Sequence, residues 1–490
     1  MSAVISQSMS QQDSAQNSGF VPLVRQLPDG FTPEYCFERL SRLRGCVWLD
    51  SCLRSSEFGR YSYLAAEPFS MMRADQTNDR SIEDLASLSA PFFQERIPGL
   101  PPFQGGWLGW FGYEFGRCFE RIPAAHSNEF RLPVAHLGLY DVVLCWDHAQ
   151  QSGWAISQGW PANSEKSRQK RAYRRLKSML RVLDSDVNDV SKRPELHRSL
   201  DAQRLVQQHP TRWSDQWTSN FSSAGYRDAV QRCVDYVGDG DIFQVNLSQR
   251  LLTRAKSDSA TLYQHLRSVN PAPFSGYADL GRTQVISSSP ERFLQLQDGQ
   301  LEARPIKGTR PRLTDPIADH GIAQMLQASE KDISENVMIV DLLRNDMSRV
   351  SELNSLRVDR LCGLEKYPFV WHLVSVIRSQ LQERSTAFDV VKATFPGGSI
   401  TGAPKIRAME IIAELEPTAR GPYCGSLGYI SFAGDMDLNI LIRTITASEG
   451  WWQVPVGGGI VADSDPALEE QETWHKAEGI LRAIDSLRAE

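Results

Sequence analysis

The chain has no run approaching the ~18 consecutive apolar residues that a membrane-spanning helix needs. Residues 1–13 hold neither a basic cluster nor an apolar core, so the start does not read as a secretory signal. Paired cysteines are missing too. Eight cysteines stand scattered at 36, 46, 52, 118, 145, 233, 362 and 424, none in a C-x-x-C pair. In a chain this long that pattern fits a reducing, cytoplasmic setting and predicts small core residues rather than disulfides or a zinc site. Positive charge is not in excess either: the net charge is −6 and the isoelectric point is near 5.9. No electrostatic footprint for nucleic acid is present.

What is present is length and apolar content. With 490 residues and 41% hydrophobic composition, the chain can bury a large core and predicts two to four domain-sized units. Residues 1–19 are rich in Ser and Gln and read as a disordered tail. Residues 20–160 carry short β-type runs, such as 45–49 and 139–146, punctuated by Pro and Gly, and read as a β-rich N-terminal domain. Residues 105–113 interleave glycine with bulky aromatics, as in a strand that other backbone approaches closely.

Residues 164–183 form a basic helix with Tyr173, Leu176, Met179, Leu180 and Leu183 at helical spacing. Its charge run reads as a solvated face. The polar stretch 184–222 reads as a linker, so that 161–222 separates the N-terminal domain from a catalytic domain at 223–490. In that last part helices are expected over 224–238, 330–349 and 465–486, and a strand over 241–251. Strands and helices mix without a strict βαβ period, which argues for an α+β fold.

Four constellations could carry chemistry. In residues 304–310, Lys307 lies between Ile306 and Gly308. These seven residues alone favour an ordinary surface lysine; a desolvated one would be a nucleophile or base. In 287–293, Glu291 is either half of a surface ion pair or an acid that protonates a leaving group. Glu335 sits in an apolar helix, and Glu469 and Glu472 share a face of another. Solvated faces account for most such glutamates, yet carboxylates from two helices also suit Mg²⁺, above all when a substrate adds its own. Finally, 395–405 and 456–460 are glycine-rich and could offer backbone N–H groups to an anion. The first opens a helix at Pro404 but fails the Walker A spacing. Arg443, on an apolar strand, is costly to bury without an anion.

The order and spacing of these signals resemble the chorismate-utilising enzymes: anthranilate synthase component I, aminodeoxychorismate synthase component I, isochorismate synthase and salicylate synthase. The resemblance runs from about residue 22 to the C-terminus and rests on the strings 241–250, 341–346, 395–405 and 457–464. It implies an anthranilate synthase component I-like fold, with mixed and antiparallel sheets sandwiched and helices outside. Gln244 stands where the water-using branch resembles this chain but carries a water-activating lysine, which disfavours that branch. Lys307 matches the position where aminodeoxychorismate synthases typically have lysine and anthranilate synthases alanine. The strings 102–106 and 111–117 also look like the aminodeoxychorismate branch; the alternative is anthranilate synthase component I.

The same resemblance implies a role for each residue. Lys307 would attack C2 of chorismate, and Glu291 would protonate the departing C4 hydroxyl. Mg²⁺ would be held by Glu335 and Glu472, with Glu469 an outer ligand. Arg443, Tyr429, Lys476 and the backbone of Gly457, Gly458 and Gly459 would hold carboxylates, and Gln244, His372 and Thr401 match further active-site positions. No glutaminase nucleophile elbow is found, which implies a separate glutamine amidotransferase subunit as ammonia donor. Residues 49–51 with Arg60, Tyr61 and Ser62 resemble the family's tryptophan-binding region. This suggests an L-tryptophan site at Ser51, Arg60, Tyr61 and Ser62, although Asp50 replaces the glutamate usual in anthranilate synthases.

Overall fold

The structure, a computed structural model, describes residues 20–53, 58–77, 80–187, 199–367 and 370–487. The tail expected at 1–19 lies outside the described residues. Two large sheets face one another, and every recorded strand pairing in them is antiparallel. Helices cover the outer faces, so the expected α+β sandwich is present. No helix among the described residues is long and apolar enough to cross a membrane.

Alternation along single strands builds the layers. In Cys46–Asp50, Val47 points into the core between the sheets while Trp48 points to the opposite face, as the two-residue strand period dictates. The intersheet core gathers Val47, Tyr63, Phe103, Leu108, Tyr140 and Leu427. On the outer face of the larger sheet, Trp48 meets Phe37 with ring centroids 4.7 Å apart and Tyr263 at 5.4 Å.

The expected N-terminal and catalytic segments do not form separate sheets. Cys46–Asp50 pairs with Phe274–Asp279 in the larger sheet, and Gly106–Phe111 pairs with Ser426–Ser431 in the smaller one. The expected linker is also part of the body: Thr218–Ser219 pairs with Gln244–Arg254, and Trp217 is fully buried. Its polar residues surround a few apolar anchors, which average composition hides.

The basic helix spans Glu165–Asp184 and starts at a Ser164 capping box. Its buried stripe is Arg168, Ala172, Leu176, Met179 and Leu183. Tyr173 was expected on that stripe but is exposed. The stripe begins at Arg168, whose guanidinium stacks on Trp160 at 3.5 Å and on Phe20 at 4.2 Å. Steps of four, four, three and four residues from Arg168 leave Tyr173 off the arc.

A Trp48→Ala change removes a large side chain from within the larger sheet and is expected to cost ~3–5 kcal/mol. In denaturant titrations, backbone circular dichroism and intrinsic fluorescence should move together. A transition split into an unstable first part and an unaffected second part would contradict the shared sheet.

Candidate active site

Lys307 lies on Ile306–Pro311, an edge strand of the smaller sheet paired with Val370–Gln380. The register slips between Lys307 and Thr309, so Gly308 is the extra residue of a bulge. Gly308 has φ +82°, and a Cβ there would press on Asp332 at 3.0 Å. The bulge therefore needs glycine, both for its dihedral and for the approach of helix Glu330–Ser348. That helix, capped by Ser329, carries Glu335.

Glu291 follows strand Thr283–Ser289 in a tight connection. Its backbone N–H donates to Ser289 Oγ at 3.2 Å, and its carbonyl accepts from Ile440 at 3.0 Å. Burial pushes its carboxyl up to about 7, with Lys307 and the Ser399 hydroxyl pulling the other way. Burial likewise depresses the Lys307 amine. Glu335, Glu291 and Glu472 oppose that shift, while Lys476 reinforces it. The two groups thus share one desolvated space.

Ser399, which sequence reasoning passed over inside the string 395–405, connects them. Its hydroxyl donates to Glu291 Oε1 at 3.0 Å, and its carbonyl accepts from Lys307 Nζ at 3.5 Å.

Helix Pro466–Ser486 brings the remaining acids. A Cβ on Gly458 would lie 3.3 Å from Glu469 Oε2, 3.6 Å from Glu472 Oε1 and 3.7 Å from Lys476 Nζ, so all three converge on that backbone. Glu472 pairs with Lys476 at 2.6 Å, and Lys476 also donates to the Gly457 carbonyl at 3.1 Å. Glu469 accepts from Ser464 Oγ at 2.7 Å. Burial raises the carboxyls of Glu335 and Glu469, and Glu472 adds to both shifts. Burial acts upward on Glu472 as well, but Lys476, Lys331 and Lys307 outweigh it and leave its carboxyl low. Lys331 is a second residue that the sequence did not single out; its charge reaches all three acids.

The donor set suits a hard cation: three carboxylates, oxygen only. Among the described residues no three metal-binding side chains stand close enough to hold an ion by themselves. Mg²⁺ commonly takes one or two protein carboxylates and completes its shell with substrate oxygens and water. The residues therefore fit an ion shared with a carboxylate substrate.

Arg443 precedes strand Thr444–Ser448 in the left-handed region, φ +49°. It is exposed rather than buried, desolvation by the surrounding protein lowers its pKa, and no carboxylate among the described residues is recorded as its ion-pair partner. A guanidinium so placed is suited to a substrate anion. It lies within electrostatic reach of His372, whose pKa burial lowers to about 4 with Arg443 adding to the effect; His372 Nδ1 meets Thr309 Oγ1 at 2.8 Å. Gln244 is fully buried and both polar atoms of its amide lack a partner. Its amide packs against Gly459, where a Cβ would fall 2.3 Å from Nε2.

Two expected residues behave differently. Thr401 turns its hydroxyl onto its own loop, toward the Gly397 carbonyl at 3.0 Å. Tyr429 is not brought to the cluster. Its ring packs 4.7 Å from Phe103 and 5.6 Å from Tyr63 in the intersheet core, because its position on Ser426–Ser431 faces inward. The suggested tryptophan region is internally satisfied. Ser51 N donates to Ser62 Oγ at 3.1 Å, Arg60 pairs with Asp147 at 2.8 Å, and Asp50 is held by Arg267 at 2.8 Å.

The family described as chorismate binding enzyme matches residues 46–482. Aminodeoxychorismate synthase component 1 of Salmonella typhimurium is 39% identical over 468 residues, covering 92% of this chain and 96% of that protein. Anthranilate synthase component 1 of Thermus thermophilus is 39% identical over 395 residues, covering 81% and 80%. The crystal structure of anthranilate synthase component I from Streptococcus pneumoniae superposes with a TM-score of 0.72 at 30% identity, covering 87% of this chain and 93% of that one.

The buried acid has a thermodynamic consequence. With a folded pKa near 7 against an ordinary 4.5, Glu291 keeps its proton in the fold where the unfolded chain has released it. Stability therefore falls as pH rises from about 4.5 to about 7. Glu291→Gln cannot ionise and loses this dependence. Relative to the native chain it should gain ~2–3 kcal/mol between pH 5 and pH 8. Parallel stability curves across that interval would contradict the placement of the acid.

Proposed function

The chain belongs to the chorismate binding enzyme family, and from that premise we propose that it aminates chorismate at C4, giving 4-amino-4-deoxychorismate for p-aminobenzoate and folate synthesis. The observation that carries this reading is a desolvated amine, Lys307, in one enclosed space with a carboxyl, Glu291, raised to about 7. An amine held toward its neutral form is a nucleophile, and a carboxyl that stays protonated near neutral pH is an acid.

Lys307 Nζ attacks C2 of the ring. The two ring double bonds shift, the C4–O bond breaks, and Glu291 gives its proton to the departing hydroxyl, which leaves as water. Lys307 is then joined to C2 as a secondary ammonium. Ammonia attacks C4, the double bonds shift back, and the C2–N bond breaks with its electrons returning to Lys307. The product carries its nitrogen as an ammonium at C4, and Glu291 regains a proton from solvent. One difficult substitution becomes two displacements, each with a good nucleophile.

Glu335 and Glu472 would hold Mg²⁺, with Glu469 an outer ligand, and the ion would supply positive charge for the ring carboxylate. Arg443 binds the second carboxylate, and Lys476, which donates to the Gly457 carbonyl at 3.1 Å, stands beside the Gly457–Gly459 backbone. Gln244 cannot remove a proton from water, which supports ammonia rather than water as the incoming group. The ammonia would come from a separate glutamine amidotransferase subunit. L-tryptophan at Ser51, Arg60, Tyr61 and Ser62 belongs to the same reading, and mass spectrometry of ligand released on denaturing the chain tests it.

Product analysis with chorismate, ammonium salt and Mg²⁺ decides the reaction. The expected product is 4-amino-4-deoxychorismate; anthranilate instead would place the chain in the other ammonia-using branch. Lys307→Ala should lose C4 amination and can leak C2-aminated product. An unchanged rate and product would remove Lys307 from the chemistry. Glu472→Ala should lose activity together with Mg²⁺ dependence. Full activity of that variant at low Mg²⁺ would contradict the metal assignment.

A further inference from the structure

Ser399 sits in the turn Gly398–Ile400 and is nearly buried. The turn is fixed from several sides. Thr401 Oγ1 donates to the Gly397 carbonyl at 3.0 Å, and Asn246 N donates to the Thr401 carbonyl at 2.8 Å. Downstream, Lys405 is paired with Asp346 and donates to the Thr394 carbonyl at 2.9 Å. From this anchored position Ser399 makes three contacts. Its hydroxyl donates to Glu291 Oε1 at 3.0 Å; its carbonyl accepts from Lys307 Nζ at 3.5 Å and from Asn246 Nδ2 at 3.3 Å.

We propose that Ser399 is a positioning residue for both reacting groups, fixing through its hydroxyl which oxygen of Glu291 carries the acid proton and through its carbonyl where the lone pair of Lys307 points. The inference rests on the roles given above to Lys307 and Glu291. A carboxyl has two oxygens. The one that accepts the Ser399 hydroxyl is occupied as an acceptor, so the acid proton resides on Oε2, the oxygen left free for substrate. A neutral amine that gives one N–H to a carbonyl keeps its lone pair directed away from that carbonyl. Because both contacts come from one residue, the separation of acid and nucleophile is set by one rigid turn. That separation must match C2 and the C4 hydroxyl of a single ring, where small displacements cost large factors in rate.

The groups facing Glu291 are Lys307 from strand Ile306–Pro311, Ser399 from the turn and the Cys424 thiol from the segment before Ser426. Arg292, next in the chain, is tied to Asp437 at 3.0 Å and Glu302 at 3.7 Å. Lys307 itself faces Glu335, Glu291, Glu472 and Lys476. Of the two groups that act on the Glu291 carboxyl, only Ser399 can be removed without also removing the nucleophile.

The test is ammonia-dependent turnover by Ser399→Ala, Ser399→Cys and Ser399→Thr across pH, with chorismate and Mg²⁺. Ser399→Ala should lower kcat roughly tenfold to a hundredfold while KM for chorismate changes less than about threefold. The descending basic limb of kcat/KM should move to higher pH, because a hydroxyl donated to a carboxylate favours the ionised form and its loss raises the pKa. Ser399→Cys, close in size but a weak donor, should move the limb the same way, so the inference does not depend on the folding of the alanine variant. Ser399→Thr keeps the hydroxyl and should restore most of kcat and the native limb. A native limb and native kcat in both Ser399→Ala and Ser399→Cys would overturn the role. So would a loss confined to KM, or a threonine variant as impaired as the alanine one. If the native chain makes no C4-aminated product, the reading of Lys307 and Glu291 fails, and this inference with it. If it does make that product and only the Ser399 variants behave as native, the positioning role alone fails.

Discussion

An amine and a carboxylic acid enclosed together can exist as a neutral pair or as an ion pair, and for Lys307 and Glu291 the proposed chemistry depends on that choice. In water the proton would pass from acid to amine, giving an ammonium that cannot attack and a carboxylate that cannot donate. Enclosure penalises both charged forms, lowering the amine and raising the acid. Their mutual attraction works in the opposite direction. Neighbouring charges act on the same balance. Glu335 and Glu472 favour the ammonium, whereas Lys476 disfavours it. Compensating the charge of those glutamates, as Lys331 and Lys476 do in part, therefore also favours the neutral amine of Lys307.

The architecture supplies this enclosure by bringing distant segments to one place. Lys307 comes from a strand edge, Glu291 from a connection between sheets, Ser399 from a turn, and the acids from two separate helices. Two glycine positions make the approaches possible. Gly308 permits a bulge under helix Glu330–Ser348, and Gly458 leaves space for the carboxylates of helix Pro466–Ser486. At Gly308 a Cβ would meet both an unfavourable dihedral and Asp332 at 3.0 Å, whereas at Gly458 it would meet only the side-chain ends of Glu469, Glu472 and Lys476 at 3.3 to 3.7 Å. The pairing of Cys46–Asp50 with Phe274–Asp279 extends the same sheet into the N-terminal half. The N-terminal strands are thus structural neighbours of the catalytic strands rather than an appended unit.

Much of this was legible in order and spacing. The helices expected over 224–238, 330–349 and 465–486 correspond to Ser223–Gly238, Glu330–Ser348 and Pro466–Ser486. The residues around Lys307 said little by themselves; its assignment came from long strings elsewhere in the chain. What escaped reading depended on tertiary direction. Tyr429 lies on a strand whose alternation carries its ring into the intersheet core beside Phe103 and Tyr63, away from the acids. Tyr173 fell off its helix arc because the arc starts at an arginine stacked on aromatics, which a hydrophobic pattern does not count. Ser399 and Lys331 carry no local mark. Their importance lies in what stands opposite them, and the partners of Ser399 are about a hundred residues away in sequence.

Relatives of both ammonia-using branches reach 39% identity, but the aminodeoxychorismate synthase relative holds it over 92% of this chain and the anthranilate synthase relative over 81%. Atoms near the acids bear on the same distinction. Gln244 is enclosed, neutral and without a hydrogen-bond partner among the described residues, an expensive state for an amide unless something in the cleft completes it. It offers a donor and an acceptor but no base. Lys307 is the amine positioned against the Glu291 acid. A site with an acid, one nucleophilic amine and a neutral amide can expel a hydroxyl through its own covalent bond, and it then needs a second nucleophile that brings no proton requiring removal before attack. Ammonia meets that requirement and water does not. On the proposed reading, the preference for nitrogen rests on Gln244 and the preference for C4 on Lys307, so a substitution at one would leave the other in place.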